Sequence, residues 1–126
     1  MTGVLGFVLV MVCGGLGAAA RFVVDGAVRA RRRTAFPWAT VSINVAGSFL
    51  IGVVMGAVLF HDAAETWHLL VATGFCGGFT TFSTAMVETV RLVRSDRAGL
   101  AALNALGTTV AAVAACAAGL GLTAVL

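Results

Sequence analysis

Apolar residues run along this chain in four long stretches, about 3–25, 38–60, 67–90 and 99–125, joined by short polar connections. Each stretch reaches the roughly 20 residues a helix needs to cross the hydrocarbon of a bilayer. The third departs from a plain lipid-facing pattern. Its segment Gly74 to Glu88 reads GFCGGFTTFSTAMVE, with Gly77 and Gly78 adjacent and hydroxyls at Thr80, Thr81, Ser83 and Thr84. Adjacent glycines are poor helix formers, and opened backbone at membrane depth must be received by protein or a wet cavity. The pattern predicts a third helix broken near Gly77–Thr80 and resumed afterwards. The competing reading is a kinked helix whose hydroxyls bond back to their own backbone. Beyond the break, Thr81, Thr84 and Glu88 recur on one helical face with Phe82 beside them. A helix break of this type suits an ion: loose carbonyls face a cation, and a half-helix N-terminus faces an anion.

The polar positions in the other spans are fewer. In span two Asn44 is a lone amide whose two N–H donors need acceptors. It either bridges helices or offers a donor to an anion. Thr40 lies one turn earlier on the same face. Ser48, Gly52 and Gly56 then repeat every four residues, a ridge for close helix packing. Gly107, Ala111, Ala115 and Gly119 do the same in span four, and GGLGAAAR, residues 14–21, does so in span one. Asn104 and Thr108 share a face of span four. Arg21, near the end of span one, either snorkels as a topology anchor or draws anions to a pore mouth. Glu88 is the only acid within a span apart from Asp25 at an edge. Ionisable groups at a span centre cost about 2.5–3.5 kcal/mol on insertion scales, less near an end, and are usually functional.

Composition narrows the class. Of 126 residues, 60% are hydrophobic and 10% charged, with a mean hydropathy of +1.07. No soluble domain of this size covers so much apolar surface. The expectation is one all-α integral membrane domain, residues 1–126, with four transmembrane helices and no room for a soluble active site. No nucleophile–base pair or metal cluster points to an enzyme. Cys13, Cys76 and Cys116, spread over three spans, read as small packing residues. His61 and His68 would stand about 10 Å apart on a helix, too far to share an ion easily. No basic residue precedes the first run, so it reads as a span rather than a signal peptide. All eight basic residues are arginines, and all lie in loops one and three or their flanks. Beside membrane spans such a cluster means orientation rather than nucleic acid. It predicts loops one and three cytoplasmic and both termini outside.

GGLGAAAR at 14–21, PWATVSINVAGSFLIG at 37–52 and GFCGGFTTFST at 74–84 together resemble the small bacterial fluoride channels of the CrcB or Fluc family. The resemblance covers nearly the whole chain. It implies an antiparallel dimer with two pores between the subunits. It implies a structural sodium ion at the dimer centre, on backbone carbonyls matching Gly77 and Thr80. Fluoride would pass Asn44, Phe82 and a hydroxyl track matching Ser83, Thr84 and Thr40, with Glu88 as the acid of the motif. Such a channel exports fluoride passively and relieves its toxicity in the cytoplasm.

The chain departs from the family pattern at four positions. Ala85 stands in place of a second Phe, Met86 where a small polar residue is common, Ala112 where Ser or Thr is frequent, and Ala39 in place of a usual Gly. The arginine bias suggests why. A homodimer of antiparallel subunits needs a chain that inserts both ways, and this chain is strongly biased to one. The expected partner is therefore an oppositely oriented homologue that keeps more of the pore residues. The alternatives are a non-conducting structural partner subunit and a small proton-coupled drug exporter, which would need an acid deeper in a span.

Overall fold

A computed structural model of the chain describes residues 3–126. It is all-helical, with four helices long and apolar enough to cross a membrane among the described residues: Val4–Arg31, Trp38–Phe60, Glu65–Arg94 and Ala98–Val125. The first is α1, the second α2 and the last α5. The third is interrupted as the sequence predicts, giving α3 over residues 65–79 and α4 over Ser83–Arg94. Unwinding falls at residues 80–82, at the end of the predicted window. Gly77–Phe79 still forms a helical turn, and Thr80 turns the chain into extended conformation at φ −77°, ψ 158°. Residues His68–Cys76 of α3 and Leu103–Gly107 of α5 are wound as wider π-helical turns, which no feature of the pattern announced.

Helix α1 runs six residues past the predicted end of span one. Asp25 and Arg29 are one turn apart, and both carboxylate oxygens of Asp25 accept from Arg29 Nε at 2.9 Å. An acid placed N-terminal to a base at this spacing favours helix, and Arg29 and Arg31 suit the negative end of the helix dipole. The connection to α2 then shrinks to residues 32–37. Pro37 ends it, and Phe36 stacks edge-on against Trp38 with ring centroids 4.8 Å apart.

The small-residue ridges put helices in backbone contact. Gly17 of α1 meets α3, where a Cβ would lie 2.9 Å from the Phe75 carbonyl carbon and closer still to its oxygen. Gly78 meets the Gly14 carbonyl in the same way. On the other side, Gly52 of α2 faces Cys116 and Gly119 of α5 faces Phe49, so the predicted ridges of spans two and four pack on each other. Cys76 is wholly buried in this packing. Ile43, Thr40 and Asn104 are equally buried, so two of the deepest side chains are polar and must be hydrogen-bonded. The outer faces carry Phe7, Phe22, Leu106 and Val110, all exposed, as a surface solvated by lipid requires.

One prediction follows from the α1–α3 contact. Gly17→Ala forces backbone apart and costs at least the roughly 1–3 kcal/mol typical of overpacking. Gly15→Ala, two residues away with nothing within 4 Å of its Cβ position, is neutral or stabilising by up to about 1 kcal/mol. Thermal unfolding in detergent separates the two. Equal effects would mean that the close approach is absent.

Candidate functional site at the helix break

The backbone leaves helical geometry at Thr80, and the Thr80 carbonyl and both backbone groups of Thr81 find partners on other helices. Asn44 of α2 clamps Thr81 at two points: Nδ2 donates to the Thr81 carbonyl at 2.9 Å, and the Thr81 N–H donates to Oδ1 at 2.8 Å. In an unbroken helix that N–H would go to the Gly77 carbonyl. The clamp thus holds the break open and frees Gly77 of its helical donor. Arg21 reaches from α1, and its Nη1 donates to the Thr80 carbonyl at 3.0 Å. Thr80 keeps its side chain close to home, Oγ1 donating to the Cys76 carbonyl at 2.8 Å. The resumed helix is capped from within the motif: the Thr84 N–H donates to Thr81 Oγ1 at 3.3 Å, as at an N-cap. The Thr81 hydroxyl donates to Thr84 Oγ1 at 3.1 Å.

Asn44 bridges helices, and one of its two Nδ2 hydrogens is left without a protein acceptor among the described residues. Asn44 lines a cavity of about 330 Å³ together with Phe82, Thr80 and Thr81. Ala85, Met86 and Ala112, three of the positions that depart from the resembled pattern, line the same cavity. So does Asn104, which shares a face of span four with Thr108. Its Nδ2 donates to Thr89 Oγ1 at 2.8 Å and to the Ala85 carbonyl at 3.3 Å. Phe82 is 79% exposed on the protomer, and Ser83 is exposed beside it, so both face outward rather than into a pore closed by this chain alone.

Glu88 is buried and part of a charge network. Its Oε1 accepts from Arg29 Nη2 at 2.7 Å and from Thr40 Oγ1 at 3.0 Å. Arg29 thereby links Glu88 to Asp25. The sequence offered Arg29 only as part of a basic loop; the Asp25–Arg29 spacing was the signal that α1 continues far enough for it to reach α4. Thr40, Thr84 and Arg21 line a separate cavity of about 280 Å³, with Arg29 in its wall. The expected residues therefore gather in three groups: Asn44, Phe82 and the break; Thr40, Thr84 and Arg21; and Glu88, joined to the second through Thr40 and Arg29. His61 sits apart, its Nε2 2.7 Å from the Thr123 carbonyl, so it tethers loop two to the end of α5.

A half-buried amide of α2 thus clamps a broken helix. The family model described as "CrcB-like protein, Camphor Resistance (CrcB)" matches residues 8–120. The chain belongs to the CrcB family. Among curated CrcB-type relatives, "Fluoride-specific ion channel FluC 1" of Leifsonia xyli subsp. xyli is 49% identical over 79 residues, covering 63% of this chain and 58% of that protein. "Fluoride-specific ion channel FluC 3" of Bifidobacterium longum is 44% identical over 81 residues, covering 64% and 67%. "Fluoride-specific ion channel FluC 2" of Mycobacterium tuberculosis is 46% identical over 80 residues, covering 64% and 60%. The matched part of the chain thus spans about three fifths to two thirds of the length of these relatives.

Proposed function

We propose that this chain is a subunit of a passive fluoride-specific channel in a bacterial cell membrane, not an enzyme, and that it relieves fluoride toxicity by letting the ion out of the cytoplasm. The observation that carries the reading is the Asn44 clamp. Oδ1 and one Nδ2 hydrogen hold the break open, and the second Nδ2 hydrogen stays free on a residue that lines the same cavity as Phe82. The names of the relatives supply the ion.

Fluoride is small and tightly hydrated, so it enters a channel only where protein donors replace its water. Asn44 Nδ2–H is one such donor, and the hydroxyls of Ser83 and Thr84 are others; Thr40 gives its one hydroxyl proton to Glu88 and joins the track only on releasing it. The Phe82 ring adds its electropositive edge, which faces an anion without trapping it. Several weak sites in series favour conduction over tight binding. Arg21 at the Thr80 carbonyl adds positive charge near the break. Glu88, held by Thr40 and Arg29, fixes the Thr40 hydroxyl.

The outward exposure of Phe82 and Ser83 supports a second subunit that closes the path, arranged antiparallel. A heterodimer with an oppositely oriented homologue accounts for the arginine bias, with loops one and three in the cytoplasm. Sodium at the carbonyls of Gly77 and Thr80 fits in donor type. Gly77 O lacks its helical partner, and Thr80 O retains a second lone pair beside Arg21. Two carbonyls make part of a coordination shell, and the same pair from a second subunit would extend it. The ion would supply charge that neutralises the carbonyl dipoles of the break.

A second reading is favoured by one observation. Ala85, Met86 and Ala112 give the break cavity an apolar wall, which suits a structural partner with one silent pore. A small proton-coupled drug exporter has less support, because Glu88 is tied to Arg29 and Thr40.

Growth tests these readings. In cells stripped of their own fluoride exporters, co-expression with an antiparallel homologue is expected to restore growth on fluoride. Expression of this chain alone is not. Co-expressed with a homologue whose own pore is disabled, the unmutated chain still rescues and its Phe82→Ala variant does not if this subunit forms a path. Failure of the unmutated chain in that pair would instead assign it a scaffold role, and rescue by the chain alone would remove the heterodimer.

A further inference from the structure

At the end of the bundle where the α1–α2 and α4–α5 connections meet, a cavity of about 330 Å³ opens between Arg29, Arg32, Arg91 and Arg97. Arg29 is neutralised by Asp25 and Glu88. Arg32, Arg91 and Arg97 have no acidic partner within 4.0 Å among the described residues. Three guanidiniums gathered round one cavity repel each other unless an anion is shared between them. Arg32 is held over the Trp38 ring, 5.5 Å from its centroid, and Trp38 lines the same cavity.

A second observation concerns the cavity wall. Glu88 lines this space and its side chain is only 10% exposed. Its Oε1 is doubly bonded to Thr40 and Arg29, but its buried Oε2 has no hydrogen-bond partner among the described residues. A buried unmatched carboxylate oxygen costs free energy and calls for a donor. The cavity therefore asks for two things at once: anionic oxygens for three arginines, and one hydroxyl for Glu88.

Fluoride matches neither. It brings no hydroxyl, and the cavity is about ten times the roughly 30 Å³ occupied by one water. We propose that this cavity binds a phosphate group that carries a hydroxyl, with the phosphate oxygens on the forks of Arg32, Arg91 and Arg97 and the hydroxyl donating to the Glu88 carboxylate, whose closed-off Oε2 it meets once the carboxylate turns towards the cavity. Guanidinium forks match phosphate geometry in two-point contacts. Basic pockets between membrane helices are suited to anionic headgroups. The shared chemistry has two sources: the phosphoglycerol headgroup of an anionic lipid, or free phosphate in its hydrogen-bearing forms. The site is separate from the break, and it stands whether or not the channel reading holds.

The test uses the full chain in a neutral detergent, with bound lipid followed by native mass spectrometry and stability by thermal unfolding. The additives are phosphatidylglycerol, phosphatidylcholine, inorganic phosphate and, at matched ionic strength, chloride. Two double variants of equal charge loss are compared: Arg32→Gln with Arg97→Gln in the cavity, and Arg31→Gln with Arg33→Gln on the same segment outside it. The expected result is at least tenfold preferential retention of phosphatidylglycerol over phosphatidylcholine, lost in the cavity pair and kept in the outer pair. That result identifies lipid as the source. Stabilisation by millimolar phosphate with the same dependence on the variants identifies free phosphate. Equal weakening by both double variants would reduce the site to diffuse charge and overturn the proposal. Absence of any preference over phosphatidylcholine and chloride would overturn it as well.

Discussion

Replacing Asn44 with Ala is expected to cut fluoride efflux at least tenfold and to destabilise the protein at the same time. Two backbone groups of the break lose their partner together, the Thr81 N–H and the Thr81 carbonyl. Each unmatched buried group costs about 1–3 kcal/mol, so the sum is about 2–6 kcal/mol, at the lower end because the site is only part-buried. The Asn44→Asp variant separates structure from conduction. Its carboxylate keeps the acceptor for the Thr81 N–H, loses the donor to the Thr81 carbonyl, and places a negative charge where fluoride would pass. It is expected to unfold at a higher temperature than Asn44→Ala and yet to conduct no better. If Asn44→Asp conducts like the wild type, the free Nδ2 hydrogen has no part in moving the ion, and the residue is only a clamp.

The Arg29–Glu88 pair gives the second large effect. Arg29→Gln leaves the buried Glu88 carboxylate with Thr40 as its one remaining partner. Breaking a buried pair from one side costs about 3–5 kcal/mol. The Arg29 side chain is 49% exposed, and solvent there reduces the loss to about 1–3 kcal/mol. Glu88→Gln removes the charge that needed pairing and leaves Arg29 with Asp25, so it costs under about 1 kcal/mol. The double variant is expected to resemble Glu88→Gln alone. A double-mutant cycle on thermal stability measures this directly, since residues in one network couple by about 0.5–3 kcal/mol. Strict additivity would mean that the two side chains do not meet.

Much of the fold was legible because hydrophobic runs and small-residue ridges are local signals. The four spans, the small-residue ridges of spans two and four and the interruption of the third helix all rest on residues close together in sequence; that those two ridges meet is seen only in the fold. The exact position of the break was not. Gly77 and Gly78 are the weak helix formers, yet the backbone unwinds after Phe79, because Asn44 captures Thr81 from 37 residues away. Where two weak points compete, a partner from another helix decides. The Glu88 network stayed hidden for a similar reason. Its arginine lies in the basic stretch after span one by pattern alone, and the Asp25–Arg29 pair extends α1 far enough to carry it to Glu88. Arg21 offered two readings, anchor or anion lure, and neither contained its bond to the Thr80 carbonyl. Such a contact depends on how α1 crosses α3, which Gly17 and Gly78 permit and no periodicity specifies.

The most direct test of the central claim is ion efflux from liposomes loaded with both fluoride and chloride and reconstituted with this purified chain, alone and together with an antiparallel homologue. Fluoride is expected to leave and chloride to stay, and only in the mixture. Fluoride efflux from the chain alone would contradict the heterodimer and make Ala85 a tolerated substitution in a self-sufficient channel. Equal loss of both ions, or none in either preparation, would contradict the fluoride channel itself.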